Sequence, residues 1–300
     1  MKISEMCNAL NLEFQGDDYS IGGLNLCNRE SKKKQIISYV TSDKYVEQVR
    51  DNTSIIALVL SKSEAQYYAS NYVNRDITYI FSSNPEKTFY DMHDYLYYKT
   101  NFYDKFDFAK VIGKGCIISE FAVIQDGVIL GDNVTIGANT VIKKGTQIGN
   151  NTSIGCNCTI GSEGFQVLRC NGLNRRIVQA GGLYIGEHVD INDNVTIANS
   201  MFEDTTYIGN NVKIDNLVYI GHNSIIKENA VVTAGTTLCG SSYVEANAWI
   251  GAGSVQLNRV RVGENSLVGI GSVVTKDIAN NSVAYGNPAQ KKSEIAFASK

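Results

Sequence analysis

Residues 112–160 read IGKGCIISEFAVIQDGVILGDNVTIGANTVIKKGTQIGNNTSIGCNCTI. At Ile112, Ile118, Ile124, Leu130, Ile136, Ile142, Ile148, Ile154 and Ile160 every sixth residue is a branched aliphatic. The period returns at Ile185, Ile191 and Ile197, slips so that eleven residues rather than twelve lead to Ile208, and continues through Ile220, Leu238 and Ile250 to Val274. The fourth residue of the hexad is Asn or Gly, as at Asn133, Asn139, Gly145 and Asn151, two types that tolerate positive φ. The fifth is small, as at Cys116, Thr140, Thr152 and Cys158. A period of six fits neither a helix nor a simple strand alternation. Each hexad therefore reads as a short flat strand that sends one large and one small side chain inward and then turns a corner, the repeat unit of a β-helix.

The array resembles the left-handed parallel β-helix of the hexapeptide-repeat acyltransferase superfamily, and the resemblance covers about half of the chain. It implies three flat sides per triangular coil, so that eighteen residues bring the backbone back above itself. It also implies a mainly β fold in three parts. These are a small α/β domain at 1–105, a β-helix at 106–280 with a loop insertion at 162–183, and a short tail at 281–300.

The 300 residues carry a formal net charge of −3, which supplies no basic field for nucleic acid. No apolar run is long enough to span a bilayer, and the start lacks the pattern of an export signal. Seven cysteines without CxxC pairs predict a reduced cytoplasmic protein with structural thiols, and neither disulfides nor metal.

Residues 1–100 lack the period. Ile3 to Leu10 reads as a helix, Glu13 and Phe14 open a strand, and "QIISYVT", "SIIALVL" and "ITYIFS" read as strands. "SDKYVEQVRD" reads as a capped helix, and Asn84 with Pro85 starts another. The run "FQGDDYSIGG", then "ISYVTSDKY", an aliphatic strand, a Pro-initiated helix and a hexapeptide array is similar to the bacterial UDP-3-O-acylglucosamine N-acyltransferases of lipid A synthesis. That resemblance implies a uracil held between the rings of Tyr39 and Tyr45, with Ser42 where the family carries Asn. On the residues alone, the two tyrosines read as ordinary packing groups of a strand and a helix. The break after Ile160 carries "EGFQ", similar to the family's loop near the nucleotide sugar, which points to Phe165. The same break holds Arg175 and Arg176, readable as phosphate contacts or as ordinary solvated charges. Farther on, the family's "DRG…DDT" appears as Ala198, Asn199 and Ser200, with only Asp204 and Thr205 kept, which predicts a changed acceptor.

Of the three histidines, His93 lies on a predicted surface helix and His188 takes a corner slot. His222, followed by Asn223, matches the family's "HN" general base. Imidazole titrates near neutrality, as a base for an attacking amine requires. The resemblance pairs it with Asp215, seven residues earlier. On an eighteen-residue coil His222, Gly240 and Asn258 stack in one column, and the Gly240 N–H becomes a candidate oxyanion donor. Gln256 occupies an inward aliphatic slot, a lapse that suggests binding nearby, so Asn258, Arg259, Arg261 and Lys276 become candidate contacts for a donor's phosphates.

The ending "GSVVTKDI…YGNPA" resembles acetyltransferases that use acyl-CoA, and few residues follow it. The expectation is an N-acyltransferase, a homotrimer, carrying a short acyl group from acyl-CoA to the amine of a UDP- or dTDP-linked sugar. The alternatives are the family reaction proper, with a 3-hydroxyacyl chain from acyl carrier protein, and a non-catalytic β-helix used for assembly or sugar binding.

Overall fold

The computed structural model describes residues 1–29, 33–71, 76–170, 172–202 and 204–294. Two compact units emerge. One comprises Met1–Asp104, Gln166–Ala180 and Phe202–Asp204, the other Lys105–Phe165, Gly181–Met201 and Thr205–Lys300. The first break in the array thus contributes Gln166–Ala180 to the first unit, as a hairpin in which Val167–Cys170 pairs antiparallel with Leu173–Arg176. The tail from residue 281 is not separate either. Ser282–Tyr285 extends one face of the second unit by pairing with Leu267–Val268 and receives Gln290–Glu294 antiparallel. Residues 295–300 of the predicted tail lie outside the described residues.

The second unit is a left-handed parallel β-helix built on three sheets of ten, eight and eight strands. Ile118, Ile136 and Ile154 lie in register on one face, and Ile124, Ile142 and Ile160 on the next, eighteen residues apart. The inward aliphatics fuse into one core that runs from Ile124 to Ala284. Burying each of these side chains contributes ~1.5–3 kcal/mol relative to exposure, and stacking identical layers makes that gain continuous. Corners fall where Asn was expected, with φ of 56° at Asn133 and 59° at Asn139, and side-chain amides hydrogen-bond from coil to coil, as from Asn133 to Asn151 at 3.0 Å.

The slip before Ile208 has a different origin from the one its spacing implies. Thr196–Ala198 and Thr205–Ile208 lie on successive faces, because Ile197 pairs with Ile220 on one sheet and Ile208 with Ile226 on another. The segment is one hexad carrying five extra residues, not two hexads lacking one. The surplus falls at the corner between those faces, and Ser200 and Met201, both fully buried, are on it.

The first unit holds a five-stranded sheet in the order Glu13–Gln15, Thr78–Phe81, Ile55–Leu60, Ile36–Tyr39, Gly23–Leu24, parallel except for its first strand. Its longest helix, Pro85–Lys99, starts as expected, with Pro85 in the first turn and the Asn84 side chain accepting from the Lys87 N–H. The helix is not a surface element at His93, which is fully buried. Its Nε2 lies 3.0 Å from the Val178 carbonyl and its Nδ1 2.8 Å from the Tyr103 hydroxyl. A carbonyl only accepts, so Nε2 carries the proton and Nδ1 accepts from Tyr103.

Burial, together with the nearby Arg175 charge, pushes the His93 pKa down to about 4, against the hydrogen bond to Val178. The unfolded chain binds this proton near pH 6.5 and the folded chain does not, so stability is full above that pH and falls as acid is added. A gap of this size is worth ~3 kcal/mol between about pH 6.5 and pH 4. Denaturant unfolding across that range is expected to show the loss in the natural protein. His93→Phe is expected to remove most of the pH slope, whatever it does to stability at pH 8.

Arg175 is also committed within this unit, which corrects its reading as a phosphate contact. Its guanidinium meets Asp91 at 2.5 Å, Asp94 at 2.8 Å and the Tyr90 carbonyl at 3.0 Å, clamping the hairpin to the Pro85–Lys99 helix. Among the described residues no helix is long and apolar enough to cross a membrane.

Candidate active site

His222 follows Tyr219–Ile220 and precedes Ile225–Ile226, so it stands at the corner between two faces. Ile220 anchors the strand inward, Asn223 turns the corner with φ 59°, and Ser224 fills the small inward slot. The imidazole is consequently held against the prism, with the residue only 8% exposed.

The coil above packs directly on it. The Gly221 N–H donates to the Leu238 carbonyl at 2.8 Å and the Ser241 N–H to the His222 carbonyl at 2.7 Å. A Cβ added to Gly240 would lie 2.6 Å from His222 Nε2 and 2.8 Å from Cε1. Ser241, not Gly240, takes the positive φ, so residue 240 is glycine for space: the ring occupies the place of its side chain. Gly221 acts in the same way one coil below, since a Cβ there would come 2.6 Å from the Gly240 nitrogen. Among the described residues nothing accepts from the Gly240 N–H. Leu238 and Gln256 are in register, so Asn258 continues the column above Gly240.

The partner of the imidazole is not the one expected. Asp215 follows Lys213–Ile214, one corner earlier on the coil, because seven residues are one side of the triangle plus one. Its carboxylate accepts from the Asn216 N–H at 2.8 Å and from Asn192 at 3.0 Å, and these bonds hold its pKa below the usual carboxylate range. His222 Nδ1 instead meets Asn223 Oδ1 at 2.9 Å. That same oxygen accepts from the Met201 N–H at 3.0 Å. A backbone N–H only donates, which assigns the amide oxygen to this position. The imidazole Nδ1 must then carry the proton, and in the neutral ring Nε2 keeps the lone pair, over Gly240.

Asn223 is locked on two further sides. Its Nδ2 donates to Ser200 Oγ at 2.5 Å, and its backbone N–H donates to Thr206 Oγ1 at 2.9 Å. Ser200 and Thr206 are fully buried. The sequence reading missed Ser200, Met201 and Thr206 as site residues, although the broken hexad one coil below the histidine was the signal that could have found them.

The candidate donor contacts separate. Asn258, Arg259 and Lys276 are exposed, and Arg259 turns its corner with φ 65°. Arg261 is corrected: its guanidinium lies 4.4 Å from the centre of the Tyr243 ring and pairs with Glu245, so its charge is already met. Gln256 is fully buried and donates to the carbonyls of Tyr243 and Val260, at 3.0 and 2.6 Å.

In the first unit, Tyr39 ends the strand Ile36–Tyr39, its ring 5.0 Å from Phe89 and its hydroxyl donating to Glu86 at 3.1 Å. Tyr45 closes the turn Asp43–Tyr45, with Lys44 Nζ 4.9 Å from its ring centre. Between them Ser42 offers its carbonyl to the Tyr68 hydroxyl, while its own Oγ is buried with no partner among the described residues. In the second unit, Phe165 is 75% exposed.

The bacterial transferase hexapeptide family (six repeats) matches residues 109–144, 127–162 and 205–240, and the hexapeptide repeat of succinyl-transferase matches 243–276. Over 130 residues the chain is 52% identical to the UDP-3-O-acylglucosamine N-acyltransferase of Methylacidiphilum infernorum (isolate V4), covering 43% of this chain and 37% of that one. The protein of the same name from Maricaulis maris (strain MCS10) is 48% identical over 130 residues, covering 43% and 38%. The chain thus spans little more than a third of the length of the curated relatives it matches. A solved structure, the UDP-N-acetylglucosamine acyltransferase from Bacteroides fragilis 9343, superposes with a TM-score of 0.56 at 27% identity, over 64% of this chain and 74% of that one.

Proposed function

We propose that this chain, a hexapeptide-repeat protein similar to UDP-3-O-acylglucosamine N-acyltransferases, transfers an acyl group from a thioester to the amine of a UDP-linked amino sugar. One observation carries the reading: the acceptor nitrogen of His222 lies over Gly240, so a base and a backbone N–H adjoin at one corner. As the sugar nitrogen attacks the thioester carbonyl carbon, Nε2 takes the proton that the nitrogen sheds. The Gly240 N–H donates to the oxygen that gains charge. The tetrahedral centre then collapses, breaking the C–S bond and leaving an amide, and the imidazolium gives its Nε2 proton to the departing sulfur, which leaves as the thiol and returns the base to its neutral form. A base of this kind contributes ~100- to 10,000-fold and one such N–H donor ~100- to 1,000-fold.

Tyr39 and Tyr45 stack the base of the nucleotide. Phe165 covers the sugar. Asn258, Arg259 and Lys276 line the exposed run above the histidine and meet a donor's phosphates. The protein acts in the cytoplasm as a homotrimer with its site between neighbouring prisms. The donor is a short acyl-CoA, on the resemblance of "GSVVTKDI…YGNPA" to coenzyme A users. The name of the relatives favours a second reading, in which the acceptor is UDP-3-O-acylglucosamine itself and the chain is 3-hydroxyacyl from acyl carrier protein.

The test pairs UDP-linked amino sugars, with and without a 3-O-acyl group, with acetyl-CoA and 3-hydroxyacyl-acyl carrier protein, and follows amide formation. Preference for acetyl-CoA is expected. Turnover only with the carrier protein and the 3-O-acylated sugar selects the second reading. No product from any pair rejects both.

A further inference from the structure

The bulge before Ile208 supplies something that the reaction as written above does not use. Ser200 replaces a glycine of the family pattern and, on sequence alone, marks a lost acceptor motif. In the fold it is fully buried, and its hydroxyl meets Asn223 Nδ2 while the next residue, Met201, donates to Asn223 Oδ1. We infer that Ser200 is a positioning residue for the base: it holds the Asn223 amide, and through it keeps the His222 proton on Nδ1 and the lone pair on Nε2. The inference rests on the acyltransferase reading only for its kinetic consequence.

The physical argument is one of satisfied donors. Asn223 is itself only 5% exposed, so its NH2 needs an acceptor, and Ser200 Oγ is the acceptor in place. Remove that oxygen, and the observed rotamer leaves a buried donor unpaired, which favours any rotation that takes Nδ2 elsewhere. Such a rotation carries Oδ1 away from His222 Nδ1. The ring then loses the contact that fixes its proton, and the form with the proton on Nε2, which cannot act as base there, becomes populated. The Met201 N–H and Ser200 hydroxyl thus grip opposite ends of one amide, and the corner residue that turns the chain also sets the tautomer.

The experiment compares the natural chain with Ser200→Ala. The ring nitrogens of His222 are read by 15N NMR, with His222→Gln identifying its signals among the three histidines. The natural chain is expected to show a protonated Nδ1 and an unprotonated Nε2 at pH 8. Ser200→Ala is expected to show a mixture and a kcat lower by ~10-fold, with KM within about twofold, because the defect lies in the base and not in binding. Asn223→Gly keeps a residue suited to φ 59° and removes the amide entirely, so it is expected to give the same mixture if Ser200→Ala fails to fold. An unchanged ring spectrum in the folded variant overturns the inference, and so does an unchanged kcat beside an altered ring. The spectrum needs no substrate. A natural chain that shows the expected ring but acylates nothing therefore rejects the acyltransferase reading and leaves the positioning of the ring standing.

Discussion

His222→Ala is expected to lower kcat by ~1,000-fold while KM for the sugar nucleotide changes little. Among the described residues the imidazole is the group at this corner whose ordinary pKa lets it take a proton near pH 7, and removing a positioned base costs ~100- to 10,000-fold. The substitution leaves the corner intact, because the positive φ belongs to Asn223 and the inward anchor is Ile220. The unfolding midpoint is therefore expected to stay close to that of the natural chain. Steady-state rates with the best acyl donor, set beside thermal unfolding, check both parts. A variant with unaltered turnover on every donor leaves the non-catalytic reading of the prism as the better one.

Gly240→Ala is expected to cost ~100-fold in kcat for a reason of space alone. The new methyl would stand 2.6 Å from Nε2 and 2.8 Å from Cε1, so the ring must move, yet Asn223 holds it from the other side. A displacement of about 1 Å in a reacting group is worth ~100-fold. The backbone at this position has no positive φ, so alanine adds no torsional strain and the prism is expected to assemble normally. Double substitution with His222→Ala gives a sharp check. Once the ring is gone the methyl has nothing to displace, and the two losses are expected to be far from additive.

The prism was legible because its repeat is a constraint imposed at every turn: a polar residue at Ile136 or Ile154 would face the same dry core as its neighbours eighteen residues away. Corners were legible for a local reason, the tolerance of Asn and Gly for left-handed backbone. Exceptions such as Leu217, with φ 61°, and Arg259, with φ 65°, show that layer stacking outweighs that preference. The Lys62–Asn71 helix was not legible, because it buries only Ala65 and Tyr68 and so shows almost no apolar periodicity. His93 looked like a surface residue because its partners, Tyr103 and Val178, come from outside its helix. Arg175 was ambiguous until the hairpin brought it to Asp91 and Asp94.

At the candidate site, the column of His222, Gly240 and Asn258 followed from counting, and the orienting group did not. Counting residues places a side chain on a corner, whereas the hydrogen bond of the imidazole depends on which neighbour shares that corner. Asp215 is excluded by one side of the triangle, and Asn223 is adjacent in the chain. Ser200 and Met201 reach the same amide only because five surplus residues bulge between two hexads, and a bulge has no period from which its direction can be read.

The most direct measurement is the mass of the sugar nucleotide after incubation with an acyl thioester and the natural chain, repeated with His222→Ala. A UDP-linked amino sugar is expected to gain one acyl group as an amide on its nitrogen, with one thiol released for each, and the variant is expected to yield almost none. An amine left unmodified by every thioester, or modified equally well by both proteins, contradicts the assignment of this corner as the reaction centre.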